Sequence, residues 1–147
     1  MRRELRQRVR VDAILPATYH LETPGGARGA TVTRNVSLGG AQIFLPERLP
    51  AGTPVTVTLR LPRGSAVASR GRVAWQGRQF HRLAQGGHIV STGIQFEPLT
   101  SVVEERLSAL IDRLLWKDRT SALSAIFKRL ARLTAPSPEA AARRRPA

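Results

Sequence analysis

The chain has 147 residues, a formal net charge of +14 and no cysteine. This length accommodates one domain with a hydrophobic core but hardly two, and the absence of cysteine excludes disulfides, thiolate catalysis and metals bound through sulfur. The sequence has no apolar run of about 18 residues and no apolar stretch after its charged start, so we expect neither a transmembrane helix nor a secretory signal, and we expect a cytoplasmic protein.

The positive charge is concentrated at the two ends of the chain. Residues 1–10 carry five arginines against one glutamate, a net +4, and residues 117–147 carry eight basic side chains against two acidic ones, a net +6. Only +4 is left for residues 11–116. A general nucleic-acid-binding protein usually spreads its basic residues over one folded face, so this distribution favours basic terminal segments around a less charged domain.

The predicted N-terminal arm, residues 1–10, leads into an apolar, β-prone segment from Val9 to Leu21. Arg6 and Arg10 lie four residues apart, and their planar guanidinium groups can each hold a phosphate or a purine edge with two hydrogen bonds. Arg2 and Arg6 have the same spacing, but we favour Arg6 and Arg10 because Arg10 enters the predicted strand directly. The auxiliary candidates are Arg2, Arg3 and Arg8.

A turn rich in ligand-binding groups follows the next predicted strand, residues 30–34. Asn35 offers an amide and Ser37 a hydroxyl, while Gly39 and Gly40 would leave backbone N–H groups open to a ligand. A side chain at position 40 would fill ligand space or forbid the backbone angles of the turn. Asn and Ser also stabilise turns through the nearby backbone, and this role is compatible with binding because a rigid turn is a better binding surface.

Alternating apolar residues between turns indicate four more strands, at about residues 41–45, 55–61, 66–76 and 88–96. The clearest alternation runs from Val55 to Leu61 and predicts a strand with one face in water. Six short strands separated by turn residues predict a mainly β fold, a small antiparallel β-barrel. Three aromatic residues lie in apolar strand contexts and are expected in the core: Phe44, Trp75 and Phe96.

Helical periodicity replaces the strand pattern after residue 100. A capping box at Ser101–Glu104 and apolar residues at helical spacing from Val103 to Leu115 predict a C-terminal helix packed on the barrel, so that residues 11–116 form one domain. Residues 117–147 are predicted to hold an additional basic helical extension, at about Ser121 to Leu133, and a disordered tail. The apolar stripe of this extension suits packing on the domain, self-association into a homo-oligomer, docking on a protein, or weak binding to an anionic membrane surface.

The sequence contains no recognisable catalytic or metal-binding constellation. Ser37 lacks a G-x-S-x-G context, and the three histidines lie on separate predicted elements without a carboxylate at motif spacing. Neither a P-loop nor a dinucleotide fingerprint occurs. We therefore expect a binding protein, not an enzyme, without a bound metal.

Arg6-x-x-x-Arg10 and Asn35-x-Ser37-x-x-Gly40 together resemble the two-part signature of PilZ domains, RxxxR and (D/N)xSxxG. Segments 11–17, 71–75 and 92–96 resemble further strands of that family, and the resemblance extends over roughly residues 2–115. It implies a six-stranded PilZ-type β-barrel with a C-terminal helix. It also implies a bacterial receptor whose ligand is the second messenger cyclic di-GMP, with no other cofactor.

The resemblance also implies how the ligand is held and what binding controls. The arginine arm would grip guanine edges and phosphates, and the turn would complete the surface. In this family the signal commonly passes to a protein partner in motility, exopolysaccharide production or biofilm formation. The residues so assigned are Arg6, Arg10, Asn35, Ser37, Gly39 and Gly40.

Two alternatives to a cyclic di-GMP receptor remain. Charge alone favours a nucleic-acid-binding β-barrel with basic arms, but aromatic residues are only 5% of the chain and the predicted strands lack a set of exposed aromatics for base stacking. A PilZ domain that acts as a ligand-independent protein adaptor is the second alternative. The two intact motifs argue against it.

Overall fold

The computed structural model describes residues 9–134, and for residues 118–122, 133 and 134 it describes the backbone alone. Four arginines of the predicted site lie outside the described residues, as does the predicted disordered tail; the arginines are Arg2, Arg3, Arg6 and Arg8. The chain divides after Leu114 into two compact units. The first contains all of the β structure, and the second continues as helix.

Eight strands and one α-helix make up the regular structure of residues 9–134. In chain order they are β1 Val11–Asp12, β2 Pro16–Leu21, β3 Arg28–Ser37, β4 Gly40–Leu45, β5 Pro54–Arg60, β6 Ala66–Gln76, β7 His81–Arg82, β8 His88–Phe96 and α1 Ser101–Thr134. A single 3₁₀ turn, Pro62–Gly64, separates β5 from β6.

Six of these strands close into an antiparallel barrel. Neighbours pair in the order β3, β2, β5, β6, β8, β4, and β4 pairs back with β3 to close the sheet. β1 is added beside β3, and β7 pairs only with β8. The prediction of a six-stranded antiparallel barrel is thus confirmed, with two short strands in addition.

The barrel interior is filled by the inward side chains that the alternation pattern selects. In β5, Val55, Val57 and Leu59 are buried and the intervening threonines are half-exposed. Val36 and Ile43 are fully buried on the opposite wall. Each such side chain contributes about 1.5–3 kcal/mol relative to an exposed position, so the regular alternation is what stabilises the closed sheet.

The first turns of α1 cover the core of the first unit. Leu107, Leu110 and Ile111 are buried in the same cluster as the barrel residues, as their helical spacing predicted. The helix is capped one residue earlier than expected, because the Thr100 hydroxyl, not that of Ser101, accepts a hydrogen bond from the Val103 N–H at 3.4 Å.

Beyond Leu114 the helix continues without a break to Thr134. The two helical segments predicted from the sequence are therefore parts of one element, and the predicted basic extension is its second half. Along residues 9–134, no helix combines the length and the apolar character that crossing a membrane requires.

Candidate functional site

The predicted binding turn, residues 35–40, folds as a tight hairpin between β3 and β4. Ser37 and Gly40 pair across it, which leaves Leu38 and Gly39 as a two-residue loop. The buried Ser37 Oγ accepts hydrogen bonds from the N–H of Gly39 at 3.2 Å and of Gly40 at 3.1 Å, and donates to the Gly40 carbonyl at 3.3 Å. Both glycine N–H groups therefore donate to Ser37, instead of standing open to a ligand as expected, and the turn is rigid.

Gly40 is required by the packing of two strands. A Cβ placed on Gly40 would overlap the carbonyl oxygen of Ile94, because β4 approaches β8 closely at this point. Its φ angle does not lie in the left-handed region that favours glycine. The sequence suggested ligand space or turn angles as the reason for this glycine; the structure gives the contact between β4 and β8.

The pairing of β1 with β3 brings the end of the arginine arm to the turn. Val11 lies opposite Val36 in the antiparallel ladder, so one step back along the chain Arg10 is level with Ser37. Val11 is buried in the core, while Arg10 is exposed. The apolar strand after the arm thus serves as its anchor, and Arg10 reaches the turn on the outside of the barrel.

A buried threonine fixes the short connection between β1 and β2. The Thr33 hydroxyl donates to the carbonyl oxygen of Ala13 at 2.6 Å and accepts from the N–H of Leu15 at 2.9 Å. The Thr33 N–H donates to the Leu15 carbonyl, and the Ala13 N–H to that of Arg34. This network replaces regular strand pairing where the chain bends between β1 and β2, and it holds the base of the arm in place.

Asn35 lies beside the turn and contacts a neighbouring side chain. Its Nδ2 donates to Oε1 of Gln42 at 2.9 Å, across the β3–β4 pair. Asp12 of β1 lies opposite it on the other side. Asn35 thus lies between β1 and β4 at the start of the hairpin, and its side chain does not line the cavity beside the turn.

A cavity of about 350 Å³ opens on the outer face of β4, β8 and β6, beside the turn. It unites four of the predicted ligand residues: Arg10, Ser37, Gly39 and Gly40. Its other walls come from β4, β6 and β8 and are formed by Ala41, Ala74, Trp75, Gly93, Ile94 and Gln95. Its volume is within the usual range for small-molecule sites.

Trp75 is the main residue of the cavity that sequence reasoning missed. It is 40% exposed, so the expectation that it lies in the core is wrong; of the other two aromatics, Phe96 is buried and Phe44 is half-buried. The strand alternation fails here because the β6–β8 register shifts between Val73 and Trp75, a bulge that turns the indole outward.

Gly93 makes room for the outward indole. Trp75 lies opposite Gly93 in the ladder, and a Cβ on Gly93 would overlap the indole ring. The ring therefore lies over the bare backbone of β8, with its other side toward solvent. An indole held in this way is a flat aromatic surface on which a nucleobase can stack.

Gln95 joins this cavity to a second one of about 450 Å³, which lies against the start of α1. Gln95 pairs with Gly40 on one side and with Arg72 on the other, and both Gln95 and Gly39 line the two cavities. The Gln95 amide can donate and accept hydrogen bonds, as a purine edge requires. Arg72 adds a guanidinium group at the second cavity.

The titrating groups with shifted pKa values lie on other parts of the barrel. Burial raises the pKa of Tyr19, and Glu47 raises it further. A hydrogen bond from Thr56, at 2.7 Å, lowers the pKa of the Glu22 carboxyl, and His20 contributes to the same shift. Neither shifted group lines the cavity beside the turn.

The histidines also lie away from the cavity. His20 is 3.4 Å from the Glu22 carboxylate, and His88 packs edge-on against the Phe80 ring at a centroid distance of 6.3 Å. His81 is exposed in β7. Among residues 9–134, no three His, Asp or Glu side chains come together in a way that could hold a metal ion.

Comparison with known proteins gives a family match over most of the chain. The sequence profile of the PilZ domain matches residues 4–113. No match was found among curated proteins.

Solved structures of this fold are similar at low sequence identity. The PilZ domain of YcgR from Escherichia coli, solved with c-di-GMP, is 17% identical with a TM-score of 0.59, and the alignment covers 80% of this chain and 97% of that one. The inhibitor of motility MotI/DgrA of Bacillus subtilis is 18% identical with a TM-score of 0.57, and the alignment covers 78% of this chain and 52% of that one. The PilZ domain of CeSA from a cellulose-synthesizing bacterium is 20% identical with a TM-score of 0.51, and the alignment covers 75% of this chain and 98% of that one. The chain thus spans about half the length of MotI/DgrA.

Proposed function

Because the chain belongs to the PilZ domain family, we propose that it is a bacterial receptor for cyclic di-GMP and not an enzyme. One observation carries the proposal: Arg10, the Ser37 turn and the outward indole of Trp75 meet around a single cavity. These groups match the parts of a cyclic dinucleotide, which has two phosphates and two flat bases with polar edges. That the PilZ domain of YcgR was solved with c-di-GMP supports the same ligand.

In the proposed complex each group has a separate task. Arg10 holds a phosphate or a guanine edge through two hydrogen bonds, and a base stacks on Trp75, a contact worth about 1–3 kcal/mol. The Gln95 amide reads a base edge, and Gly39 lets the ligand approach the turn closely.

The remaining candidates of the predicted site act around this centre. Arg6, with Arg2, Arg3 and Arg8, would extend the grip of the arm over the ligand. Asn35 would act through Gln42 and Ser37 through the turn, keeping the cavity wall in shape. We therefore assign Asn35 and Ser37 mainly to positioning.

The proposed signal is a change in the arm. Ligand bound between the arm and the turn would fix residues that precede β1, and the altered surface would be recognised by a protein partner. A role in motility, exopolysaccharide production or biofilm formation is the proposed output. The inhibition of motility named for MotI/DgrA supports the first of these.

Isothermal titration calorimetry with cyclic di-GMP tests the proposal, with GTP and a DNA oligonucleotide as controls. We expect a dissociation constant of about 1 μM or lower for cyclic di-GMP, which corresponds to about −8 kcal/mol, and much weaker binding of GTP. Equal affinity for GTP and cyclic di-GMP, or no binding of either, would contradict the proposal.

One observation favours the nucleic-acid alternative. Trp75 is exposed, and so is Phe80 in the loop between β6 and β7. The Arg48 guanidinium lies 5.0 Å from the centre of the Phe80 ring. Exposed aromatics beside arginines are what single-strand binding proteins use, so the shortage of exposed aromatics is a weaker objection than the sequence suggested. Tighter binding of the oligonucleotide than of cyclic di-GMP would establish this alternative.

A further inference from the structure

The second half of α1 has an apolar strip that its own unit leaves exposed. Four side chains at helical spacing form it and are each between 52% and 66% exposed: Leu123, Ile126, Phe127 and Leu130. Trp116, 66% exposed, lies seven residues before Leu123 and so on the same side of the helix. Contiguous apolar surface of this kind marks an interaction site.

Three basic residues lie on the other side of this part of the helix. Lys128, Arg129 and Arg132 are exposed there, on the side away from Leu123 and Phe127. From residue 119 to residue 138 the sequence contains no Asp or Glu, and three further arginines follow at 143–145. The helix therefore combines an apolar side with a strongly positive one.

This charge pattern argues against a second copy of the helix as the occupant. Paired helices that pack through apolar strips place opposite charges beside the strip. Within residues 119–138 two copies would bring only positive charges together, because the nearest acidic residues of the helix, Asp112 and Asp118, precede this range. The same charges are favourable on an anionic surface.

We propose that the second half of α1 docks on the surface of an anionic lipid membrane, with the Leu123–Leu130 strip inserted at the headgroup boundary. Helices with a Leu and Phe side and a Lys and Arg side bind in this way, and basic residues on or beside such a helix add electrostatic attraction. Trp116 suits the same boundary, because Trp is enriched where membrane meets water. The inference is independent of the proposed ligand, and it adds a place of action to the receptor.

The test uses the full chain and vesicle flotation without cyclic di-GMP, at low salt. One set of vesicles is phosphatidylcholine alone and the other is rich in phosphatidylglycerol. We expect flotation with the anionic vesicles only, and its loss at high salt because surface charge is screened. Failure to float with anionic vesicles, or equal flotation with both sets, would overturn the proposal.

Two variants separate the apolar and the basic contributions. The double variant Leu123→Gln, Phe127→Gln keeps good helix formers and should abolish flotation. The double variant Lys128→Gln, Arg129→Gln should weaken anionic binding about fivefold for each charge removed. The matched control is Ile14→Ser, which removes a side chain 82% exposed on the barrel unit and should change nothing.

Sedimentation velocity without vesicles tests whether a second copy of the chain binds the strip instead. We expect a monomer at the concentrations used for flotation. A dimer that the Leu123→Gln, Phe127→Gln variant dissociates would assign the strip to a second copy and overturn the proposal. Circular dichroism of both double variants should show unchanged helix content, since every substituted side chain is exposed.

Discussion

The cavity face of the barrel and the strip on α1 use similar side chains to make different surfaces. On the barrel, Trp75 is exposed but lies over Gly93, and a rigid turn and the base of the arm stand beside it. On the helix, Phe127 is exposed among apolar neighbours that follow one another along a single element. Arginine and aromatic groups on neighbouring strands line one cavity, whereas apolar side chains along one helix form an exposed strip.

The largest expected effect is on the stability of the barrel, and with it on the cavity. In Gly40→Ala the new Cβ would overlap the Ile94 carbonyl, so β4 and β8 must move apart, at a cost of about 3 kcal/mol in the free energy of unfolding. Chemical denaturation measures the loss, and ligand binding should fall with it. The matched control is Gly77→Ala, where the Cβ would lie 3.7 Å from the side chain of Ser91, an ordinary contact. Equal stability of the two variants would show that β4 and β8 tolerate a side chain at position 40.

The second prediction removes the charged group of the cavity while keeping the fold. Arg10→Ala should weaken cyclic di-GMP binding by about 1.5–3 kcal/mol, the range for hydrogen bonds to charged groups. Arg10 is exposed, so the melting temperature should not change. Calorimetry of Arg60→Ala, an exposed arginine at the end of β5, is the control. If both variants bind equally well, Arg10 does not contact the ligand.

The third prediction tests stacking on the indole. Trp75→Ala should weaken binding by about 1–3 kcal/mol, and Trp75→Phe should retain most of the affinity because a flat ring remains. The chain has two tryptophans, so ligand quenching of Trp75 fluorescence is measured in a Trp116→Phe protein. Unchanged fluorescence on saturation with ligand would place the base elsewhere.

The fourth prediction tests whether the cavity and the strip on α1 act independently. Leu123→Gln with Phe127→Gln should change cyclic di-GMP affinity by less than about threefold, under 1 kcal/mol, because neither residue lines the cavity. Trp75→Ala should conversely leave vesicle flotation unchanged. Loss of ligand affinity in the helix variant would show that the strip belongs to the binding site.

The smallest expected effect lies outside both surfaces, at Glu22. Its carboxyl pKa is lowered from the ordinary 4.5, first by the hydrogen bond from Thr56. The ionised form thus stabilises the folded state above pH 4.5, and this stabilisation is lost as the pH falls through the folded-state pKa. Melting temperatures of the natural protein and Thr56→Val should differ slightly at neutral pH and converge in acid. A constant difference across that range would mean that the hydrogen bond does not favour the carboxylate.

The barrel could be predicted because local patterns and the tertiary structure agree. Val55, Val57 and Leu59 alternate and are buried as expected, and turn residues separate the strands. The approach of Arg10 to the turn could also be predicted from the sequence, because an apolar strand follows the arm and must pair with a neighbour in the sheet. These features depend on residue order along one strand or two.

The remaining features depend on strand register, which the sequence does not display. Trp75 faces outward because of a shift in the β6–β8 ladder, and Gly40 is needed because of a carbonyl on β8. The continuity of α1 was missed for a simpler reason. The apolar period lapses between Trp116 and Ser121, and a lapse in periodicity is not a helix breaker when neither Gly nor Pro occurs there.

The brevity of β1 would affect the timing of the proposed signal. Only two residues of β1 pair with β3, and the Thr33 hydroxyl holds the chain just behind them. If a nucleotide binds at this site as proposed, opening of β1 alone would release it, while the closed sheet keeps all of its own pairings. The residence time of that ligand would then be set by the opening of β1 and not by unfolding, and hydrogen exchange at the Val11 amide would measure how often β1 opens.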